Sequence, residues 1–143
     1  MSNPHECFKN DILIVDDENL IRKSLKSLLA SLSLKADEAA DGHEAITMIT
    51  ERFECQNCSK YKIVVMDLMM PNMDGFEACS ELEYFFKKYE ILDIYLPNII
   101  ISSAHDEDSI RQSLKKNILV KSFIPKPVNK IKIQNTFTSF YHK

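Results

Sequence analysis

Short unbroken apolar runs along the chain alternate with longer segments in which apolar residues recur at helical spacing. The clearest runs cover residues 12–15, 63–66 and 99–101, and such runs are typical of strands buried on both faces of a sheet. Between them, apolar side chains recur three or four positions apart, as at Ile21 and Leu25, which indicates amphipathic helices. The pattern therefore predicts strands and helices in alternation.

Two weaker strands and five helices complete the predicted pattern. The strands are expected over residues 34–39 and 120–124. The helices are expected around residues 21–32, 45–53, 76–88 and 106–116, and after Asn129, which can cap the last of them. Five strands alternating with five helices predict an α/β fold with a doubly wound parallel sheet. We assign residues 1–9 to an N-terminal tail and residues 10–143 to one domain.

Composition narrows the ways in which this fold could bind a ligand. The 143 residues include only two glycines, Gly42 and Gly75, whereas a Walker loop or a dinucleotide fingerprint needs two or three closely spaced glycines. Both loops are therefore excluded, and a phosphate ligand would be held by side chains and a metal ion. The net charge of −3 argues against a dedicated nucleic-acid-binding protein.

The N-terminus and the cysteines bear on location. Residues 1–7 contain no apolar segment of the kind that a secretory signal needs, and no apolar run approaches the roughly 18 residues of a membrane-spanning helix. With four cysteines and no signal, we expect a cytoplasmic protein with free thiols. Cys55 and Cys58 could instead form half of a zinc site or a redox pair, but we favour two free thiols.

Polar residues follow four of the five predicted strands at the point where each strand ends. Asp16 and Asp17 follow the first strand, Asp67 the third, Ser103 the fourth and Lys126 the fifth. In a doubly wound sheet the ligand site lies outside the carboxyl ends of the strands. We therefore expect these five residues to meet at one edge of the sheet.

The expected cluster has the chemistry of a metal-dependent phosphoryl site. Three carboxylates, from Asp16, Asp17 and Asp67, repel one another unless a cation lies among them, and oxygen ligands suit Mg²⁺. Asp67 is the candidate nucleophile, because an aspartate is ionised at neutral pH and can form an aspartyl phosphate. The Lys126 ammonium and the Ser103 hydroxyl could bind the phosphoryl oxygens.

Each of these residues also has a plainer interpretation. Asp16 and Asp17 could merely cap the first helix, Lys126 could be a solvated surface lysine, and Ser103 could bond the local backbone. Their combination at one edge, rather than any single residue, favours the phosphoryl site.

In the same order along the chain, these residues resemble those of response-regulator receiver domains. The matching elements are the pair Asp16-Asp17, the segment Asp-Leu-Met-Met-Pro-Asn-Met-Asp-Gly at residues 67–75, the pair Ser103-Ala104 and the pair Lys126-Pro127. The resemblance extends from around Asn10 to the last helix. It implies a flavodoxin-like sheet of five parallel strands in the order 2-1-3-4-5.

The resemblance also implies a role for each residue. Asp67 would accept a phosphoryl group from a phosphohistidine, Lys126 would pair with that group, and Ser103 would follow it. Phe123 matches an aromatic switch position that turns inward with Ser103 on activation. Mg²⁺ would be held by the side chains of Asp17 and Asp67, by that of Asp16 either directly or through water, and by the backbone carbonyl of Met69.

Partners follow from the resemblance as well. A histidine kinase or a histidine phosphotransfer protein would donate the phosphoryl group. Leu20 and Lys23 would form part of the docking surface for the donor, unless Leu20 packs in the core. No direct contact with nucleic acid or a membrane is expected, and the chain would be a monomer or a weak dimer. It would be a stand-alone receiver or part of a longer protein such as a hybrid histidine kinase.

Two other functions compete with phosphoryl signalling. A Mg²⁺-dependent phosphohydrolase with an aspartate nucleophile usually carries a second Asp two positions later, where this chain has Met69. An interaction module that has lost phosphorylation usually lacks an acidic residue, the acceptor or the lysine, and all of these are present here. We therefore expect a phosphoacceptor domain rather than an enzyme.

Several departures from the family pattern leave local structure open. The segments 54–62 and 84–96 are longer than the family usually needs, and the second could extend the third helix or form a packed surface loop. No glycine follows the fourth helix, so Asn117 is expected to take a left-handed conformation there. In the family, the positions of Met69 and His105 tune the lifetime of the phosphoryl group, and Met69 favours slow loss.

Overall fold

Five parallel strands form one sheet in the computed structural model, which describes residues 10–55, 58–104 and 108–141. The strands are β1 (Ile12–Val15), β2 (Ala36–Ala39), β3 (Ile63–Met66), β4 (Asn98–Ser103) and β5 (Val120–Pro125). Their order is β2-β1-β3-β4-β5, with parallel pairing throughout. The predicted doubly wound topology is therefore confirmed, whereas the assigned tail at residues 1–9 lies outside the described residues.

The predicted helices are also found. They are α1 (Asn19–Ala30), α2 (Gly42–Glu54), α3 (Gly75–Lys88), α4 (Asp108–Lys115) and α5 (Lys130–Tyr141). Asp41 caps α2 by accepting from the Glu44 amide at 2.9 Å. Asn129 caps α5 in the same way, accepting from the Lys132 amide at 2.9 Å, as predicted. Within the described residues, no helix is both long enough and apolar enough to cross a bilayer.

The sheet separates two apolar cores, which explains the unbroken apolar runs of its strands. Alternate side chains of one strand point to opposite faces, so Leu13 packs with α2 and α3 on one side. Its neighbours Ile12 and Ile14 pack with α1 and α5 on the other side. All three are fully buried. This double burial fixes the register of the strands and hence the positions at which their carboxyl ends emerge.

The long segment 84–96 combines both predicted alternatives: its first residues extend α3, and the rest form a surface loop. Helix α3 ends at Lys88, and Glu90 has a φ of 50°. A short 3-10 helix, Asp93–Tyr95, follows. The exposed side chain of Ile94 lies on this loop, whereas Ile91 packs against the core.

The free thiols predicted at Cys55 and Cys58 are wrong, because the structure joins these two residues in a disulfide. A spacer of two residues brings their Cα atoms within 5.4 Å, inside the range that a disulfide spans. The prediction relied on the reducing compartment expected for a chain without a signal, although the spacing of the two cysteines had left a redox pair as an alternative. Cys79 is a free, buried thiol.

The left-handed conformation predicted for Asn117 is also wrong. The positive φ values at non-glycine residues belong to Ser33, Asn72 and Glu90. The Asn117 side chain orders the turn instead, donating to the Cys79 carbonyl and accepting from the Leu119 amide, each at 2.9 Å. Because an amide can bond backbone groups on both sides of a turn, no left-handed residue is needed.

Candidate phosphoacceptor site

The carboxyl ends of the strands bring the predicted polar residues together. Asp16 follows β1, Asp67 follows β3, Ser103 ends β4 and Lys126 follows β5. The first three residues are buried: Asp16 is 2% exposed, Asp67 7% and Ser103 5%. The Asp67 amide donates to the Val15 carbonyl at 2.9 Å, which links the acceptor position directly to β1.

Lys126 joins two of the carboxylates. Its Nζ lies 2.8 Å from Asp16 Oδ2 and 3.4 Å from Asp67 Oδ2. The side chain is 16% exposed, so Lys126 is not the solvated surface lysine of the plainer interpretation. The peptide bond that follows it, Lys126-Pro127, is cis. One ammonium thus contacts two carboxylates that come from different strands.

Four hydrogen bonds hold Asp16. Its carboxylate accepts from the Glu18 amide at 2.9 Å and from Lys126 at 2.8 Å. Its amide donates to the Ala39 carbonyl at 3.1 Å, and its carbonyl accepts from Nη1 of Arg22 at 2.6 Å. Both the backbone and the side chain of Asp16 are therefore fixed.

Three consecutive acidic residues form a cluster that could bind a cation. One carboxylate oxygen from each of Asp16, Asp17 and Glu18 lies within 4.8 Å of the others. An all-oxygen donor set with a buried carboxylate fits Mg²⁺. Sequence reasoning did not assign Glu18 to the site, although the unbroken run of three acids after β1 is a visible signal. Asp67 is connected to this cluster through Lys126.

The plainer interpretation of Asp16 and Asp17 does not hold. The residue before α1 is Glu18, and no side chain caps that end of the helix. The Asp16 carboxylate accepts from the amide of Glu18, which lies before the helix.

Burial and the charge of the partner have opposite effects on the pKa of Asp67 and on the pKa of Lys126. Burial raises the pKa of Asp67; the nearby Lys126 charge lowers it and the Asp16 charge raises it, and the net shift is upward. Burial would lower the pKa of Lys126, but the hydrogen bond to Asp16 and the Asp67 charge raise it overall. Lys126 therefore stays charged, while the negative charge on Asp67 is only partly compensated.

The loop after Asp67 is closed tightly by Gly75. The Gly75 amide donates to the Leu68 carbonyl at 2.9 Å, and a Cβ on Gly75 would lie 2.5 Å from the Asp67 carbonyl oxygen. No larger residue fits without displacing the backbone of the acceptor. Met69 is exposed, and its amide donates to the Asp67 carboxylate.

Residues predicted to act around the site occupy distinct positions. Phe123 on β5 is half-buried, and the Arg111 guanidinium lies 5.2 Å from its ring centre. Leu20 is 80% exposed, so its alternative role in the core is wrong. Lys23 is exposed on the same helix. His105 lies outside the described residues.

Comparison with known proteins shows the family to which this chain belongs. The family model for the response regulator receiver domain matches residues 12–138. The chain belongs to this family. The transcriptional regulatory protein SrrA of Staphylococcus aureus is 32% identical over 123 residues, which cover 83% of this chain and 44% of SrrA. This receiver domain therefore spans less than half the length of that relative.

Solved structures share the fold of this receiver domain. CheY in the CheX-CheY-BeF3-Mg²⁺ complex from Borrelia burgdorferi is similar, with a TM-score of 0.75, 25% identity and coverage of 99% of this chain and 96% of that chain. The complex of the Saccharomyces cerevisiae histidine phosphotransfer protein Ypd1 with the receiver domain of Ssk1 gives a TM-score of 0.77 at 21% identity, with coverage of 92% and 88%. The second likeness concerns the fold alone.

Proposed function

We propose that this receiver domain, over residues 10–143, accepts a phosphoryl group from a phosphohistidine on Asp67 in a Mg²⁺-dependent reaction and changes conformation in response. The observation that carries the proposal is the position of Lys126, whose Nζ lies 2.8 Å from Asp16 Oδ2 and 3.4 Å from Asp67 Oδ2. One cation between two buried carboxylates leaves negative charge for a metal ion and places an ammonium beside the nucleophile.

In the proposed transfer, an oxygen of the Asp67 carboxylate attacks the phosphorus of the phosphohistidine. The oxygen–phosphorus bond forms, the phosphorus–nitrogen bond breaks, and the imidazole nitrogen keeps the bonding electron pair. Such reactions depend mainly on positioning and charge stabilisation. Lys126 supplies part of both, because its ammonium is held beside Asp67 by its bond to Asp16.

The metal ion would be held by oxygen atoms at the ends of β1 and β3. The predicted ligands are the carboxylates of Asp16, Asp17 and Asp67 and the carbonyl of Met69, and Glu18 adds a carboxylate within the same cluster. When bound, Mg²⁺ neutralises charge on the phosphoryl oxygens. The exposed Asp17 and Glu18 keep this side of the site open to a donor.

The conformational response would begin at the ends of β4 and β5. Phosphorylation replaces one negative charge by about two and adds strong hydrogen-bond acceptors, which would attract the Lys126 ammonium and the Ser103 hydroxyl. The Lys126 amide already donates to the Ser103 carbonyl at 3.0 Å. A shift of Ser103 would therefore be passed to β5, on which the proposed switch residue Phe123 lies.

The donor would be a histidine kinase or a histidine phosphotransfer protein. The similarity in fold to the Ssk1 receiver domain, which was solved together with the phosphotransfer protein Ypd1, supports this choice. We propose that the exposed side chains of Leu20 and Lys23, on the first turns of α1 beside the site, contact the donor. No nucleic acid or membrane takes part, and the domain acts as a monomer or weak dimer in the cytoplasm.

A phosphohydrolase remains the competing function, and turnover separates the two. Receiver domains are signalling domains, and the position two residues after Asp67 is Met69, which cannot act as a general acid. We expect at most transfer to Asp67 and slow hydrolysis of that single group. Steady release of phosphate from a generic phosphate monoester would instead support the enzyme.

Intact-protein mass spectrometry tests the transfer most simply. The protein is incubated with phosphoramidate, a small donor with a phosphorus–nitrogen bond, with and without Mg²⁺. We expect one added phosphoryl group that requires Mg²⁺ and is lost in Asp67→Asn. Asp74→Asn is the matched control, because Asp74 lies in the same loop but only caps α3, accepting from the Glu77 amide at 2.9 Å. Modification of the Asp67→Asn variant would contradict the proposal.

A further inference from the structure

The first turn of α1 reaches back to the backbone of the acidic cluster through Arg22. Its Nη1 donates to the Asp16 carbonyl at 2.6 Å, and its Nε donates to Glu38 Oε1 at 3.1 Å. The Arg22 side chain is 14% exposed. We propose that Arg22 is a positioning residue for the Mg²⁺ site: by holding the Asp16 carbonyl, it fixes the backbone from which the Asp17 carboxylate extends. This inference rests on the proposed function.

The planarity of the peptide bond gives the reason. The Asp16 carbonyl and the Asp17 amide share one rigid plane, so a bond that fixes the carbonyl oxygen also fixes where the Asp17 side chain begins. Within the described part of the chain, no hydrogen bond or ion pair holds the Asp17 carboxylate. Its position therefore depends on where the backbone places Cα of Asp17, and Arg22 contacts that backbone on the strand side of Asp17.

The Arg22 side chain is itself held in place at both ends of its guanidinium. Glu38 on β2 accepts from Nε through Oε1, while its Oε2 accepts from Lys26 at 3.1 Å. Asn19 accepts from Nη2 at 3.2 Å. With Nε and Nη2 occupied, Nη1 is left facing the Asp16 carbonyl, and a planar fork of this kind is a geometry that lysine cannot copy.

Removal of Arg22 can either raise or lower Mg²⁺ affinity, and the direction shows whether its positioning role or its charge matters more. A cation near a metal site repels the metal, so removal of the Arg22 charge alone would tighten Mg²⁺ binding. Loss of positioning would weaken it, because groups that orient metal ligands typically contribute about 10-fold or more to affinity. Glu38, at 3.1 Å, already offsets the Arg22 charge, so we expect the loss of positioning to dominate.

Calorimetric titration with Mg²⁺ measures the effect without any phosphoryl donor. The proteins are wild type, Arg22→Met, Arg22→Lys and Glu38→Gln, each checked by circular dichroism. We expect Arg22→Met to raise the Mg²⁺ dissociation constant about 10-fold, with Arg22→Lys between it and wild type. Glu38→Gln keeps an oxygen acceptor for Nε and so leaves the bond from Nη1 to the Asp16 carbonyl in place, and it should change the constant by much less than about 10-fold.

The outcomes separate this inference from the proposed function. Binding by Arg22→Met that equals or exceeds that of wild type would overturn the positioning role and leave the proposed function intact. If Arg22→Met does not fold, the same criterion applies to Arg22→Lys. Equal weakening in Glu38→Gln would also overturn it, since the ion pair and not the bond to Asp16 would then matter. Absence of Mg²⁺ binding in wild type would contradict the proposed function itself.

Discussion

The two ends of the sheet each bury a cation beside carboxylates, but only the carboxyl end keeps an excess of negative charge. Near the amino ends of β1 and β3, the fully buried Arg52 donates to Asp37 Oδ2 at 2.7 Å and stacks on the Tyr61 ring at 3.6 Å. Asp37 also accepts from the Tyr61 hydroxyl at 2.6 Å and from Asn10 at 3.0 Å. There one cation faces one carboxylate, and neighbouring groups complete the network.

At the carboxyl end, one cation contacts two carboxylates. Lys126 lies between Asp16 and Asp67, and the exposed carboxylates of Asp17 and Glu18 complete the acidic group. Four carboxylates around one ammonium repel one another unless a cation is bound. The comparison separates a balanced ion pair, which holds the fold together, from uncompensated charge at strand ends, which could bind a cation.

Removal of Arg52 should have the largest effect on stability. In Arg52→Met the carboxylate of Asp37 loses its cation. Because the Asp37 side chain is 28% exposed, the cost should lie at the lower end of the range for buried pairs, about 3 kcal/mol. Urea denaturation measures the difference. The folded fraction should still accept a phosphoryl group, because the network lies away from the carboxyl end of the sheet.

Lys126→Met is the matched control for that comparison. It should lose phosphoryl transfer in its folded fraction, whereas the folded fraction of Arg52→Met should keep it. The reverse pattern, with transfer lost in Arg52→Met and kept in Lys126→Met, would contradict the distinction between the two ends.

Removal of the disulfide should have the next largest effect. Replacement of Cys55 and Cys58 by serine opens a short loop, for which the chain-entropy relation gives a loss of about 2 kcal/mol. The same denaturation experiment detects it, with dithiothreitol on the wild type as a second route. Because the loop lies at the amino end, phosphoryl transfer should not change, and a parallel loss of transfer would show that the two ends are coupled.

Asp67→Asn should increase stability in the absence of metal. Burial and the Asp16 charge raise the pKa of Asp67, so its charged form is unfavourable in the folded protein. Neutralising it should add about 1 kcal/mol to the free energy of unfolding, as often happens when a strained functional group is replaced. A fall in the midpoint of denaturation would show that Asp67 supports the fold rather than straining it.

Glu38→Gln should produce the smallest change, a small loss of stability at neutral pH that disappears in acid. Burial would raise the pKa of Glu38, but hydrogen bonds from Lys26 and Arg22 lower it overall. A lowered pKa in the folded state stabilises the protein above the ordinary carboxyl range, and this contribution is lost as pH falls from that range through the lowered pKa of the folded state. The variant should therefore lose stability less steeply than wild type over that range in thermal melts, and equal slopes would refute this.

The sheet and the site could be predicted because both follow from strong, local signals. The unbroken apolar runs identify the central strands, and residues such as Asp16 and Asp67 lie directly after them, where strand order brings them together. Glu18 was not assigned to the site because the resemblance to receiver domains places the metal ligands of this acidic run at Asp16 and Asp17. Its backbone amide binds the Asp16 carboxylate, a contact that appears only once the loop is folded.

The amino end could not be predicted in the same way, because its charged residues lie within a strand and a helix and not directly after the apolar runs. Arg52 occupies the position seven residues after Ala45 and three after Ile49, on the buried face of α2. A charged residue at a core position of a helix was the available signal. Its partner Asp37 lies on β2 and could be identified only from the packed structure.

Binding of beryllofluoride, a mimic of the acyl phosphate, tests most directly whether Asp67 is the phosphoacceptor. Wild type and Asp67→Asn are compared with and without Mg²⁺, by melting temperature and by amide NMR spectra. We predict a Mg²⁺-dependent rise in melting temperature, with NMR shifts at Ser103, Phe123 and Lys126, in the wild type and none in the variant. No response in wild type, or the same response in Asp67→Asn, would contradict phosphoryl acceptance at Asp67.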